Sequence, residues 1–349
     1  VDVGVRHVAV AVGDLSRSVL TERWTPMRRG HGAARGIEVV LRSIEHTLAE
    51  AAVDPEQLVG AAISIAAPVA PGSGRLLVPD VLPGWNGSEL AEQVARRWHI
   101  PVVMENDANL GALGEAVSQQ PGPGRGLLYV KVASRIGLGI AFGSQLHRGR
   151  DGYAGELGHV TVRPDGAACW CGRRGCLELY AGGDGMLRQL ELIGHRLPSI
   201  TRLLERFQAG DAAVQSVVAD GAGLLARALT DAALLLNPSV IVLGGELTAL
   251  GDALALPIRR QLERIPFGPP IEIRLSELGE RASLVGALSL VLTESSRFAD
   301  RSQAGSARPA GRRRPPGEPD SPSPPSPPSP PSPPSPPRPP RPSPRRSAQ

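Results

Sequence analysis

Residues 155–183 read GELGHVTVRPDGAACWCGRRGCLELYAGG and hold every cysteine of the chain, Cys169, Cys171 and Cys176, within eight positions. His159 stands ten residues before the first of them. Nine residues separate His159 from Cys169, one lies between Cys169 and Cys171, and four lie between Cys171 and Cys176. Gly172 and Gly175 frame that last interval and let the backbone fold tightly around an ion. Three thiols and one imidazole complete a tetrahedral donor set, so the spacing predicts a closed, structural Zn2+ site with no position left for a catalytic water. Three cysteines cannot all pair with one another, and no CxxC redox pair is present, which argues against a disulfide framework.

Such a site would staple Glu156 and His159 to Glu178, two residues past the last cysteine. Upstream, Asn106 and Asp107 close the short apolar run IPVVMEND (100–107), which reads as a buried strand. Carboxylates, an amide and an imidazole converging on one cleft suit a polyhydroxylated ligand, because each can bond hydroxyl groups. Taken singly, each of these residues fits a helix cap or a surface polar group equally well; the metal staple is what makes their convergence credible.

The remaining chain alternates strand-like and helix-like runs. VDVGVRHVAVAVGD (1–14) predicts a strand or hairpin, GIEVVLRSIEHTLAEAAV (36–53) a helix, and GAAISIAAPVAP (60–71) a buried strand ending in a loop. GLLYVKVASRIGLGIAFGSQLHRG (126–149) predicts paired strands around a glycine-rich turn. GAGLLARALTDAALLLN (221–237) is helical, PSVIVLGGEL (238–247) is a strand and turn, and RASLVGALSLVLTE (281–294) is a closing helix. The pattern predicts an α/β architecture with ligands at the strand C-termini.

At 349 residues the chain is long enough for two domains. Aromatic residues make up only 3 %, so the core must be aliphatic. No run reaches the roughly 18 uninterrupted apolar residues of a membrane span, and no signal peptide opens the chain. A cytoplasmic protein with no membrane partner is the expectation. The net charge of +4 comes from the end of the chain: from Arg297 onward there are ten arginines and three acidic residues, leaving residues 1–296 at about −3. The body therefore carries no basic signature for nucleic acid. Lys131 is the only lysine. Residues 297–349 are rich in proline, serine and arginine, a composition that predicts a disordered tail. The start at Val1, directly on a strand-like run, suggests a preceding segment.

GELGH followed by CWCGRRGCLE resembles the ROK family of repressors, open reading frames and kinases, whose pattern is ExGH followed by CxCGxxGCxE. MENDANLGALGE, LPGWNG, NPSVIVLGGEL and LGERASLVGAL follow the family order, so the resemblance covers about residues 1–294. It implies a two-domain actin-like or hexokinase-like (ribonuclease H-like) α/β fold with a sugar cleft between domains, here divided 1–112 and 113–296, with the last helix returning to the first domain. It implies sugar contacts from Gly84, Asn106, Asp107, Glu156, His159 and Glu178, and zinc ligation by His159, Cys169, Cys171 and Cys176. In a family kinase, Asp107 would be the general base, with ATP and Mg2+ as cofactors. The nucleotide positions would be Asp2, Gly4, Gly137, Gly139, Gly244 and Gly245. Yet the first phosphate loop reads DVGVRH, where Val5 and Arg6 replace small residues, and the second reads SRIGLG, where Arg135 does the same. The combination implies a sugar or sugar-phosphate sensor: the effector domain of a repressor-type regulator, contacting DNA only through an upstream helix-turn-helix and assembling as a homodimer or homotetramer. An ATP-dependent, glucokinase-like hexose kinase is the alternative, and an interaction protein using the proline-rich tail is a third reading.

Overall fold

The computed structural model describes residues 1–28, 32–78, 87–119, 122 and 125–306, without the side chains of 87, 88 and 295–306. Gly84 lies outside the described residues. The strands form two five-stranded mixed sheets. The first contains β1 (Asp2–Val3), β2 (His7–Gly13), β3 (Val19–Pro26), β4 (Ala61–Ile65) and β5 (Val102–Asn106), in the order β3-β2-β1-β4-β5. The second contains β6 (Gly126–Val132), β7 (Ile136–Phe142), β8 (Gln145–Leu146), β9 (Val240–Gly244) and β10 (Glu272–Leu275), in the order β10-β9-β6-β7-β8. Each sheet is an antiparallel meander of three strands, to whose first strand two more are added in parallel. One topology is therefore built twice. All five residues of β9 are buried, as expected for a parallel strand covered on both faces.

Helices α1 (Ala33–Glu50) and α2 (Gly87–Trp98) belong to the first half. Ile37, Val40, Ile44 and Leu48 recur at helical spacing along α1 and join Val8, Val10, Ile63 and Ile65 in its core. The second half carries α4 (Glu178–Ala181), α5 (Gly183–Leu192), α6 (Ile200–Gln208), α7 (Ala212–Leu236) and α8 (Asp252–Leu262). Among the described residues, α7 is long and apolar enough to cross a bilayer by length and composition, but half of its most apolar stretch is buried. Val214, Val218, Leu225 and Leu229 of this helix pack with Ile241, Leu243 and Ile258.

Two helices join the halves. In α3 (Asp107–Gln119) every residue from Asp107 to Ala116 is buried. Its Ala112 and Ala116 face Tyr129 and Val242 of the second sheet. Its Leu110 and Leu113 meet Ala62 of the first sheet and Ala287, Leu290 and Val291 of α9 (Ala282–Ser306). The α3–α9 crossing depends on two glycines: a Cβ on Gly286 would stand 1.8 Å from the Leu110 carbonyl oxygen, and one on Gly114 would stand 2.3 Å from that of Ala282. Helix α9 runs to Ser306, past the boundary that composition sets at 296. The first proline after that boundary is Pro309, so residues 297–306 keep their amide donors.

Candidate functional site

The C-terminal ends of β1, β4, β5, β6 and β9 open on one cleft of about 250 Å³, lined at those ends by Gly4, Ala66, Asn106, Ala133 and Gly245. The sheet register brings this about, pairing Val3 with Ile65 and Ile65 with Asn106. Of the expected site residues, Asp2, Gly4, Asn106, Asp107, Gly137, Glu156, His159, Glu178 and Gly245 line the cleft. Gly139 and Gly244 do not line it, and both stand in close packing contacts. A Cβ on Gly139 would lie 2.0 Å from the Ala108 carbonyl oxygen, and one on Gly244 would lie 2.2 Å from the Tyr129 hydroxyl. The β6–β7 turn itself is Ala133-Ser134-Arg135, while Gly137 and Gly139 sit within β7 rather than in a glycine-rich turn. The bare strand lets Ala108 and Ala112 of α3 pack closely against the sheet.

Asn106 is the cap of α3. Its Oδ1 accepts from the amides of Ala108 and Asn109 at 2.9 and 3.2 Å, and its Nδ2 donates to the Ala67 carbonyl at 3.2 Å. Asp107 then occupies the first helical turn, where the helix dipole favours a negative charge. Its Oδ1 accepts from the Ala108 amide at 2.8 Å, and its Oδ2 accepts from the Lys131 ammonium, also at 2.8 Å. Beneath them, buried Glu105 is ion-paired with Arg148 and accepts from Asn109 at 2.9 Å.

The opposite wall is the 155–183 segment. Burial first, and then the charges of Asp107 and Glu178, push the Glu156 carboxyl up to about 7. Glu178 accepts from the Trp170 indole N–H at 2.6 Å, and that indole stands edge-on to His159 with ring centroids 4.7 Å apart. The Arg135 guanidinium lies over the same indole, 5.6 Å from its centroid. Behind this wall the ligand atoms of His159, Cys169, Cys171 and Cys176 lie within 4.8 Å of one another. Cys171 and Cys176 are 3.6 Å apart, and Cys169 is 3.7 Å from His159 Nδ1. A tetrahedron with bonds of about 2.3 Å has edges of about 3.7 Å, so these residues fit a bound metal ion. Burial raises the Cys169 and Cys176 thiols above their ordinary range, and a metal's positive charge would reverse that. His159 Nε2 stays on the cleft side, 3.9 Å from Glu156.

Among the described residues, His7 and Arg6 line the part of the cleft near β1. His7 Nε2 lies 3.0 Å from Asp2 Oδ2, and Ser64 donates to Asp2 Oδ1 at 2.6 Å. Arg6 reaches over from the β1–β2 turn to Asp184 at 3.9 Å and Glu246 at 3.8 Å, both in the second half. Sequence reasoning attached no role to Lys131, His7 or Trp170. The one available signal was that a chain with a single lysine places it on a strand leading into the cleft.

The chain is 24 % identical over 295 residues to a xylose repressor of Bacillus subtilis, covering 84 % of this chain and 76 % of that protein. It is 34 % identical over 227 residues to a glucokinase of Streptomyces coelicolor, covering 59 % and 72 %. A crystal structure of a ROK hexokinase from Thermus thermophilus superposes with a TM-score of 0.71 at 29 % identity, covering 84 % of this chain and 98 % of that one. The sequence profile that spans residues 1–294 is that of the ROK family, and the chain belongs to it.

Proposed function

We propose that this chain is the sugar-binding effector domain of a repressor-type transcriptional regulator of carbohydrate metabolism, and that it does not phosphorylate its ligand efficiently. One observation carries the reading. Asn106, Asp107, Glu156, His159 and Glu178 share one cleft, while Arg6 and the Lys131–Asp107 pair occupy the part where nucleotide phosphates and a free base would be needed. Phosphoryl transfer depends on positioning and on neutralising the transferring group. Val5, Arg6 and Arg135 place bulk where backbone amides must approach phosphate. The carboxylates instead suit a hexose-type sugar, each hydrogen bond to a charged group contributing about 1.5–3 kcal/mol.

In this reading His159, Cys169, Cys171 and Cys176 hold a structural Zn2+, which fixes His159 and Glu178 against the cleft. The two sheets belong to separate domains, divided near residue 112, and a sugar touching both favours the closed arrangement. Its differential affinity for closed and open forms is the only free energy available to drive the switch. In a full-length regulator that switch acts on an upstream helix-turn-helix, in a cytoplasmic homodimer or homotetramer. The presence of Asp107 at the cleft and the glucokinase relative favour a second reading, an ATP-dependent hexose kinase with Asp107 as base. Calorimetry with a panel of sugars and sugar phosphates, run beside a coupled ADP-release assay, separates the two. Sugar binding without ADP release supports the regulator. Sugar-dependent ADP release abolished by Asp107→Ala establishes the kinase.

A further inference from the structure

Lys131 has no counterpart elsewhere in the chain, and its setting is built for it. In register with it on the two flanking strands are Gly137 and Gly244, neither of which has a side chain. The resulting slot leads the lysine stem toward the start of α3, where its ammonium meets Asp107 Oδ2 at 2.8 Å with its side chain 25 % exposed. Burial opposes the charge on Lys131, but the nearby carboxylates of Asp107 and then Asp2 outweigh it and raise its pKa. Tyr129 is the other titratable group acting on the lysine. Asp2, on the neighbouring sheet, is held well below the usual carboxylate range: burial works against this, and His7 and the Lys131 charge overcome it. Two carboxylates on opposite sheets, both almost buried, thus face a single pocket. Such a pair needs a cation between them, which can be a divalent metal ion or a fixed ammonium.

We propose that the Lys131 ammonium is a built-in cation standing where a divalent metal ion would have to sit between Asp107 and Asp2, so that the cleft binds its ligand independently of Mg2+ and nucleotide. All four carboxylate oxygens are already engaged. Asp107 is held by Lys131 and the Ala108 amide, and Asp2 by His7 and Ser64. The ammonium 2.8 Å from Asp107 sets a positive charge beside the carboxylate that a divalent ion would have to approach, so a metal must first displace it. The same ammonium stands within hydrogen-bond distance of the carboxylate that a kinase would need free as its base. The proposal rests on the sugar-binding reading only for its last clause; exclusion of the metal follows from the geometry alone.

The test uses the metal-loaded chain and Mn2+ as probe, read by water-proton relaxation. Wild type and Lys131→Arg are expected to take up no Mn2+ at millimolar concentration. Lys131→Met is expected to bind it, and Lys131→Met/Asp107→Asn to lose it again. Lys131→Met should also melt on the order of 10 °C lower, with Mn2+ recovering most of that loss in this variant alone. A cation with a merely structural role would be replaced by no metal. Absence of Mn2+ uptake by folded Lys131→Met, or uptake by wild type at the Asp107 site, overturns the proposal. Should Lys131→Met not fold, selective 15Nζ-lysine labelling of wild type gives a single resonance. It is expected to stay sharp on adding Mn2+, and broadening would overturn the proposal. None of these measurements requires a sugar, so a chain that binds no sugar defeats the proposed function and leaves them intact. If sugar is bound, its affinity in wild type should be equal with and without Mg2+ and ATP; a tenfold dependence would overturn the last clause.

Discussion

Gly155 is pressed against the backbone of Leu138: a Cβ at Gly155 would stand 1.9 Å from the Leu138 carbonyl oxygen, and Gly155 has φ +95°. The Leu138 amide in turn donates to the Gly155 carbonyl at 3.1 Å. This contact pins the segment carrying Glu156 and His159 to β7. Gly155→Ala is expected to lower stability by roughly 3 kcal/mol through strain and lost contact. It should also weaken sugar binding, because Glu156 moves with it. Urea unfolding and calorimetry read the two effects; a fully stable variant with unchanged affinity counts against the pinning role.

Cys171→Ser removes one of four metal donors. The expected outcome is loss of about one zinc per chain and several kcal/mol of stability, since binding energy at a structural site is folding energy. The Glu178 wall should loosen, and sugar affinity should fall with no ligand contact deleted. Elemental analysis checks the first point, and a folded, metal-free wild type would refute the zinc assignment.

Asp107→Ala is expected to lower sugar affinity at least tenfold, about 1.4 kcal/mol, by removing a charged acceptor and leaving Lys131 without its partner. Because turnover of ATP is expected to be absent from wild type, the variant should change binding alone.

Asp2 supplies a pH signature. Its folded-state pKa is depressed below the ordinary 3.8. Its ionised form therefore stabilises the fold fully above about pH 4–5, and the contribution disappears as pH falls further. Asp2→Asn should cost roughly 3 kcal/mol at pH 7 by removing a carboxylate that compensates Lys131. The same variant should show a shallower loss of stability between pH 4 and pH 2. Thermal melts across that range give the comparison.

Removing residues 307–349 is expected to leave the thermal transition and sugar affinity nearly unchanged, because a proline- and serine-rich segment has little apolar surface to bury. Cutting at 296 instead removes the last ten residues of α9 and tests whether those turns contribute.

The gathering of His159, Cys169, Cys171 and Cys176 was legible because they are close in sequence and their spacing limits the geometry. The convergence of Asn106 and Asp107 on a cleft with Glu156 and Glu178 was legible in two parts: Asn106 and Asp107 end an apolar run at a strand end, and the His–Cys spacing ties Glu156 to Glu178. The Lys131–Asp107 pair was not. It joins a strand to a helix terminus through a slot that exists only once Gly137 and Gly244 lie beside β6. The glycines at 139 and 244 read as phosphate-loop residues, because sequence does not distinguish a glycine that admits a ligand from one that admits a helix. The length of α9 was misjudged from charge and composition, whereas helix continuation depends on amide donors, and these persist until Pro309.

Helix α9 starts against the second sheet at Ala282 and continues along the first, where Leu288 meets Gly13 and Val291 meets Gly60. It crosses α3 at Gly114 and Gly286 with no side chains between the backbones. Such a crossing has almost no give along the line of contact, and Leu110 and Leu113 packed on Ala287, Leu290 and Val291 flank it. The two copies of the topology are therefore joined through one close-packed helix pair, and any change of opening at the cleft must be taken up around it. A spin-label pair on α1 and α8 would measure how far that opening changes when sugar is added.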